Sequence, residues 1–257
     1  MIQTIKLYDG TIELCFNDAT HRFTANGNSV FPSVTGATGI IDKSRPLIFW
    51  AVGLTKKYLM GNLQNLIDDT KGDKIAALIE EAVKQHSIKK QEAADVGTQV
   101  HAWAEAFIKA KSKKDWPEIP KEPQVYNGIT AFLKWVDEYE VEFKSSEKLL
   151  YSKKYKYAGI MDAEAIIKRK FCVIDFKTSK AIYPEMRFQV AAYQAAVEEE
   201  TGKEYSGNKY LARFDKETGE FEAKEFAEQD KDFKAFVNAL ELKRRLNEIE
   251  IPYTPKK

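Results

Sequence analysis

Residues 157–196 constrain the fold more than any other stretch of the chain. Two short apolar runs, 160–167 and 171–176, flank the basic pair Arg169 and Lys170. Runs of that kind with a polar break between them read as strand, tight turn, strand. With the turn centred between Arg169 and Lys170, Asp162 falls opposite Lys177 and Glu164 opposite Asp175. Side chains alternate faces along a strand. One face therefore carries Ala163, Ala165, Ile167, Cys172, Ile174 and Phe176, and the other carries Asp162, Glu164, Asp175 and Lys177. Any surface strand alternates in this way. What distinguishes this hairpin is three carboxylates and a lysine gathered at its open end, where carboxylates repel one another unless a cation sits among them.

The flanking segments bring further polar residues. After Lys177 come Thr178, Ser179 and Lys180, then a helix that starts near Pro184. Gln189 and Tyr193 are four residues apart on it and share a face. Arg187 on the same helix reaches either a phosphate or solvent. Upstream, residues 90–111 read as a helix whose apolar side includes Val100, Ala104, Phe107 and Ile108, with His101 at its edge. A single histidine at such an edge is most simply a core residue. It becomes a ligand candidate only when carboxylates share its site.

Taken together and in this order, His101, Asp162, Asp175-Phe176-Lys177 and Gln189/Tyr193 resemble the signature of the PD-(D/E)xK nucleases, in particular the RecB-like exonucleases with their phage and mobile-element members. Gly159 just upstream of Asp162 fits the same pattern, and the resemblance covers roughly residues 90–200. It implies a divalent cation, Mg2+ or Mn2+, held by His101, Asp162, Asp175 and the main-chain oxygen of Phe176. It implies Lys177 as the group that orients water and offsets charge on the phosphate, with Gln189 and Tyr193 positioning the site. Glu147 resembles an acidic residue present at this point in some members and reads equally as a surface glutamate. Glu164 lies outside the set the family requires.

The rest of the chain reads as support. Residues 2–31 are short strands, with turns at Asp9-Gly10 and Asn26-Gly27-Asn28. Pro32, Ser33, Val34 and Thr35 end that region and can cap the next element. Residues 44–88 read as helices broken at Gly61-Asn62 and at 71–73. Trp50, among Lys43, Arg45, Lys56 and Lys57, suits stacking on unpaired bases, although such aromatics are more often core. A helix at about 123–140, a strand at 147–155, a second hairpin at 208–226 and a last helix at 229–248 complete the reading. The fold class expected is α/β: a restriction-endonuclease-like mixed central sheet flanked by helices, in one nuclease domain. Residues 1–35 form its N-terminal β unit, 36–88 a helical insertion and 89–257 the nuclease core.

Composition narrows the function classes. A formal net charge of +1 rules out a global basic field, so attraction to phosphates must come from local patches. Two widely separated cysteines, Cys15 and Cys172, give neither a disulfide framework nor the four ligands of an iron–sulfur cluster. No apolar run approaches the ~20 residues of a membrane span, and the N-terminus lacks a signal-peptide pattern, so a cytoplasmic protein is expected. The resemblance implies a metal-dependent DNA exonuclease acting in recombination, repair or phage DNA processing, on DNA that is single-stranded or has a free end. It suggests a recombination or single-strand-binding protein as partner, and Trp50, Lys180 and Arg187 as DNA contacts. A structure- or sequence-specific endonuclease would use the same site. A DNA-binding relative without activity, or an unrelated module with a chance D-x-K, are the readings of another class.

Overall fold

Short strands open the chain because turn residues interrupt it at close intervals. In the computed structural model, which describes residues 1–64, 73–203, 205 and 209–249, β1 (Ile2–Leu7), β2 (Ile12–Asn17), β3 (Arg22–Ala25) and β4 (Asn28–Val30) form an antiparallel sheet in sequence order. Asn26 and Gly27 both have positive φ, as a two-residue hairpin turn requires. Leu7, Leu14, Phe16, Phe23 and Ala25 pack against Leu149 and Ala158 of the larger sheet. Ser33 then caps α1 (Val34–Thr38) by accepting a hydrogen bond from the Gly36 N–H.

The larger sheet runs β5 (Glu142–Ser152), β6 (Tyr157–Ile167), β7 (Lys170–Lys177), β8 (Lys209–Phe214) and β9 (Phe221–Phe226) in that order. Only β7 and β8 are parallel. The crossover between them contains α5 (Pro184–Thr201), as a parallel connection demands. Tyr157, Met161, Val173 and Leu211 of the sheet bury against Val190, Tyr193 and Val197 of α5 and Phe236 and Leu240 of α6 (Gln229–Glu248). A second group buries Phe176 and Phe214 edge-on to Phe132 on α4 (Pro123–Glu138), with Trp135 alongside. These are the α/β architecture, mixed sheet and N-terminal β unit expected from the sequence.

Three details differ from the sequence reading. The β6–β7 turn is Lys168-Arg169, both with positive φ, so Ile167 pairs with Lys170 and Ala163 with Ile174. Glu164 therefore lies opposite Val173 rather than Asp175. A two-residue turn of that hand matches the twist of the strands, and the shift is even, so every side chain keeps its face. Strand β5 begins at Glu142 rather than 147, with a bulge between Phe143 and Ser145. Residues 75–83 and 90–111, expected as separate helices, are one: α3 (Asp73–Lys109) is continuous over 37 residues. Its middle, 84–95, is rich in Lys, Gln and Ala and lacks Gly and Pro, so nothing there stops helix propagation.

The chain divides into two units, residues 1–41 with 100–257, and residues 42–99. Within the second, α2 (Ser44–Gly61) meets α3 through Thr55, which donates to the Ala82 carbonyl, and Tyr58, which donates to Glu81. The expected break at Lys71-Gly72, the strand start at Asn208 and the tail 252–257 lie outside the described residues. Among the described residues no helix is long and apolar enough to cross a membrane.

Candidate active site

Asp162 sits on β6 where the ladder to β7 stops. The last β6–β7 pair is Ala163 with Ile174, and beyond it the Phe176 N–H donates to Asp162 Oδ2 at 2.6 Å. A side-chain carboxylate thus takes the place of a ladder acceptor and ties the two strands where their pairing ends. Phe176 turns its ring into the aromatic group around Phe132 and Trp135. By alternation Asp175 and Lys177 project to the other side, where α5 lies.

There the polar groups are connected. Lys177 Nζ lies 2.5 Å from Asp175 Oδ2 and donates to Gln189 Oε1 at 3.2 Å. The Gln189 amide nitrogen donates to Asp175 Oδ1 at 3.2 Å and to Tyr193 Oη at 2.8 Å. Gln189 therefore bridges acid, base and tyrosine with both ends of its amide. From the α3 side, His101 Nδ1 lies 3.3 Å from Asp162 Oδ1. Asp175, Lys177, Gln189 and Tyr193 are thus bonded into one network, and Asp162 stands beside it, tied to the Phe176 backbone and to His101.

Glu147 completes the cluster, and the sequence left its place open. It occupies the position on β5 between Ser146, paired with Ala163, and Lys148, paired with Met161, so it faces Asp162 in register. Its φ is +50°, in the left-handed region that a non-glycine strand residue adopts only under constraint. One ligand atom from each of His101, Glu147 and Asp162 lies within 4.8 Å of the others. Only the likeness to acidic family members at this point could have singled it out from the sequence. Glu164, by contrast, binds elsewhere: Ser145 Oγ at 2.7 Å, Tyr205 Oη at 2.5 Å and Lys148 Nζ at 3.3 Å.

The electrostatics are those of a site crowded with acid. Burial pushes Asp175 up to about 6, with the Asp162 charge adding to it and Lys177 opposing it. Burial raises Glu147 as well, to about 7, helped by the Asp162 and Glu105 charges. For Asp162 burial pushes up too, but the His101 ring, Lys177 and the Phe176 N–H outweigh it, and its carboxyl lies below the usual range. Burial would lower both His101 and Lys177, yet the carboxylates raise each above its ordinary value. Asp175 Oδ2 is buried in a close ion pair with Lys177. The imidazole of His101 with the carboxylates of Glu147 and Asp162, and Asp175 next to them, suits a hard divalent cation.

Lys180 and Arg187 make no hydrogen bond to this network among the described residues. Trp50 is half-buried on α2 in the 42–99 unit. Lys180 is exposed beyond β7. Arg187, expected to reach a phosphate or solvent, is instead tied to Asp232 and Glu228, each at 3.2 Å, and stacks over the Phe226 ring at 4.6 Å. Its charge is answered inside the fold by residues of the 228–232 segment, so it serves packing of α5 against α6.

A family model described as the PD-(D/E)XK nuclease superfamily matches residues 74–257. Mitochondrial genome maintenance exonuclease 1 of Xenopus tropicalis is 29% identical over 123 residues, 44% of this chain and 33% of that protein. The chain thus matches about a third of that relative's length. Among solved structures, a candidate exonuclease from Eubacterium rectale aligns with TM-score 0.39 and 14% identity, over 63% of this chain and 77% of its own. An alkaline exonuclease from Laribacter hongkongensis aligns with TM-score 0.30 and 14% identity, over 62% of this chain and 100% of its own.

Proposed function

The chain belongs to the PD-(D/E)XK nuclease superfamily, and on that premise we propose that it is a Mg2+- or Mn2+-dependent DNA exonuclease of the RecB-like branch, acting from a free end in recombination, repair or phage DNA processing. The observation that carries this reading is the network joining Asp175, Lys177, Gln189 and Tyr193, with the His101, Glu147 and Asp162 group beside it and Asp162 tied to the Phe176 N–H between Asp175 and Lys177. The name of the frog relative, an exonuclease, supports the choice of exonuclease over endonuclease. We take residues 1–257 as one nuclease domain, with 1–35 an N-terminal β unit, 36–88 a helical insertion and 89–257 the nuclease core.

His101, Glu147, Asp162 and Asp175 would hold the cation, with the Phe176 carbonyl oxygen as a further ligand. When bound, such an ion polarises a phosphate and lowers the pKa of water. The protein's own contribution is positional. Lys177, an ammonium with no lone pair, cannot be a ligand; it would hold the attacking water and offset negative charge that grows on the phosphoryl oxygens. Gln189 fixes Lys177 and Asp175 relative to each other, and Tyr193 fixes Gln189. Trp50 and Lys180 would contact the strand.

End-labelled linear DNA and closed circular DNA, incubated with Mg2+, with Mn2+ and with EDTA, test the reading. Linear DNA should be degraded from its ends, circles should survive, and EDTA should stop the reaction. Asp162→Ala and Asp175→Ala should each abolish it. Efficient nicking of closed circles would replace the exonuclease with an endonuclease. Binding of DNA without cleavage under any metal would leave a nucleic-acid-binding protein.

A further inference from the structure

Helix α1 lies outside the residues matched by the family model, yet it reaches the network described above. Val34 is 1% exposed and belongs to the same buried cluster as Tyr193, which is 2% exposed. Both side chains close over Gly159. A Cβ built there would stand 2.7 Å from Tyr193 Cε1 and 3.0 Å from Val34 Cγ2, both inside normal contact. Ring and methyl group thus share the bare backbone of Gly159 as their floor. The Ser33 cap fixes α1, and α1 packs on β6, α5 and α6 together.

We propose that Val34 is a positioning residue for the reaction: it clamps the Tyr193 ring against Gly159 and so fixes Gln189, and through it Asp175 and Lys177. From Tyr193 onward the route is one of hydrogen bonds. The Tyr193 hydroxyl is 2.8 Å from the Gln189 amide nitrogen, and Gln189 touches both Asp175 and Lys177 at 3.2 Å. A valine suits the task because its β-branch leaves one strongly preferred rotamer in a helix. Helix α1, which follows the N-terminal β unit in the chain, thus contributes to the site through packing. The inference rests on the nuclease reading only for its kinetic consequence; its structural content stands separately.

Two variants test it. Val34→Ala empties the space beside the ring, and Val34→Ile presses an extra methyl group toward it. Both should lower kcat about tenfold or more, since small misplacements of reacting groups carry large rate penalties, with KM for DNA unchanged. Both should also shift the Gln189 side-chain amide resonances and speed their exchange with solvent, as read by NMR without metal or DNA. Wild-type kcat and wild-type Gln189 resonances in Val34→Ile overturn the proposal, whether or not Val34→Ala folds. A wild-type protein that cleaves no DNA would refute the nuclease reading, while the Gln189 resonances would still decide this one.

Discussion

The Phe176 N–H donates to Asp162 Oδ2 at 2.6 Å, so the acidic residue of one strand and the backbone of the next are locked where their ladder ends. The bond fixes one carboxylate oxygen of Asp162 and leaves Oδ1 facing His101. It also sets the end of β7, from which Asp175 and Lys177 project. The geometry of the site is thereby carried by the sheet rather than by a loop, which suits a constellation that must be held to a fraction of an ångström.

Lys177→Ala should reduce cleavage ~100-fold or more, the usual cost of losing one donor aimed at transition-state charge. DNA should still bind. Single-turnover rates together with a binding titration measure both. A mutant within twofold of the wild-type rate would remove Lys177 from the mechanism.

Glu147 joins function to strain. Its φ of +50° is one that glycine adopts freely, so Glu147→Gly should relieve a local cost of about 1 kcal/mol and hold or raise Tm. The same change removes a carboxylate, and Mn2+ affinity should fall about tenfold or more because affinity follows ligand charge. Glu147→Gln, which keeps the side chain and removes only its charge, should lower affinity as well. Calorimetric titration that finds unchanged Mn2+ binding in both would exclude Glu147 from the cation site.

Gly128→Ala should destabilise the protein. A Cβ on Gly128 would lie 2.7 Å from Val100 Cγ2, in a contact where Val100 is 1% exposed and cannot move aside. Overpacking of that kind costs about 1–3 kcal/mol, against about 1 kcal/mol gained from the helix propensity of alanine. Adding Val100→Ala should recover part of the loss. Denaturant unfolding of the two singles and the double decides it; a stabilised Gly128→Ala would contradict the packing.

Asp215 should support acid stability. It accepts N–H bonds from Glu217 and Thr218 and pairs with Arg213 at 3.0 Å. Burial pushes its carboxyl up, but Arg213 and the two N–H groups outweigh it, so the folded pKa lies below the usual value. A depressed folded pKa adds stability that is present above the unfolded pKa of about 3.9 and is lost as pH falls through the folded value. Asp215→Asn should therefore cost about 1 kcal/mol at pH 7, and the gap in Tm should close in strong acid. A gap that persists undiminished there would point to packing instead.

The hairpin, the faces of its residues and the company of Gln189 and Tyr193 were all legible in the chain, because alternation and helical spacing are local properties. Register was not. Moving the turn from Arg169-Lys170 to Lys168-Arg169 shifts pairing by two and leaves the alternation untouched, so the pattern of residues is blind to it. Nor does local pattern say which partner a charge finds. Arg187 meets Asp232 across 45 positions of sequence, Glu147 enters the site through a left-handed turn of backbone inside a strand, and Val34 and Tyr193 close over a glycine of a third element. Each of these depends on which surfaces the folded elements press together, a matter of long-range packing that no short stretch of residues encodes.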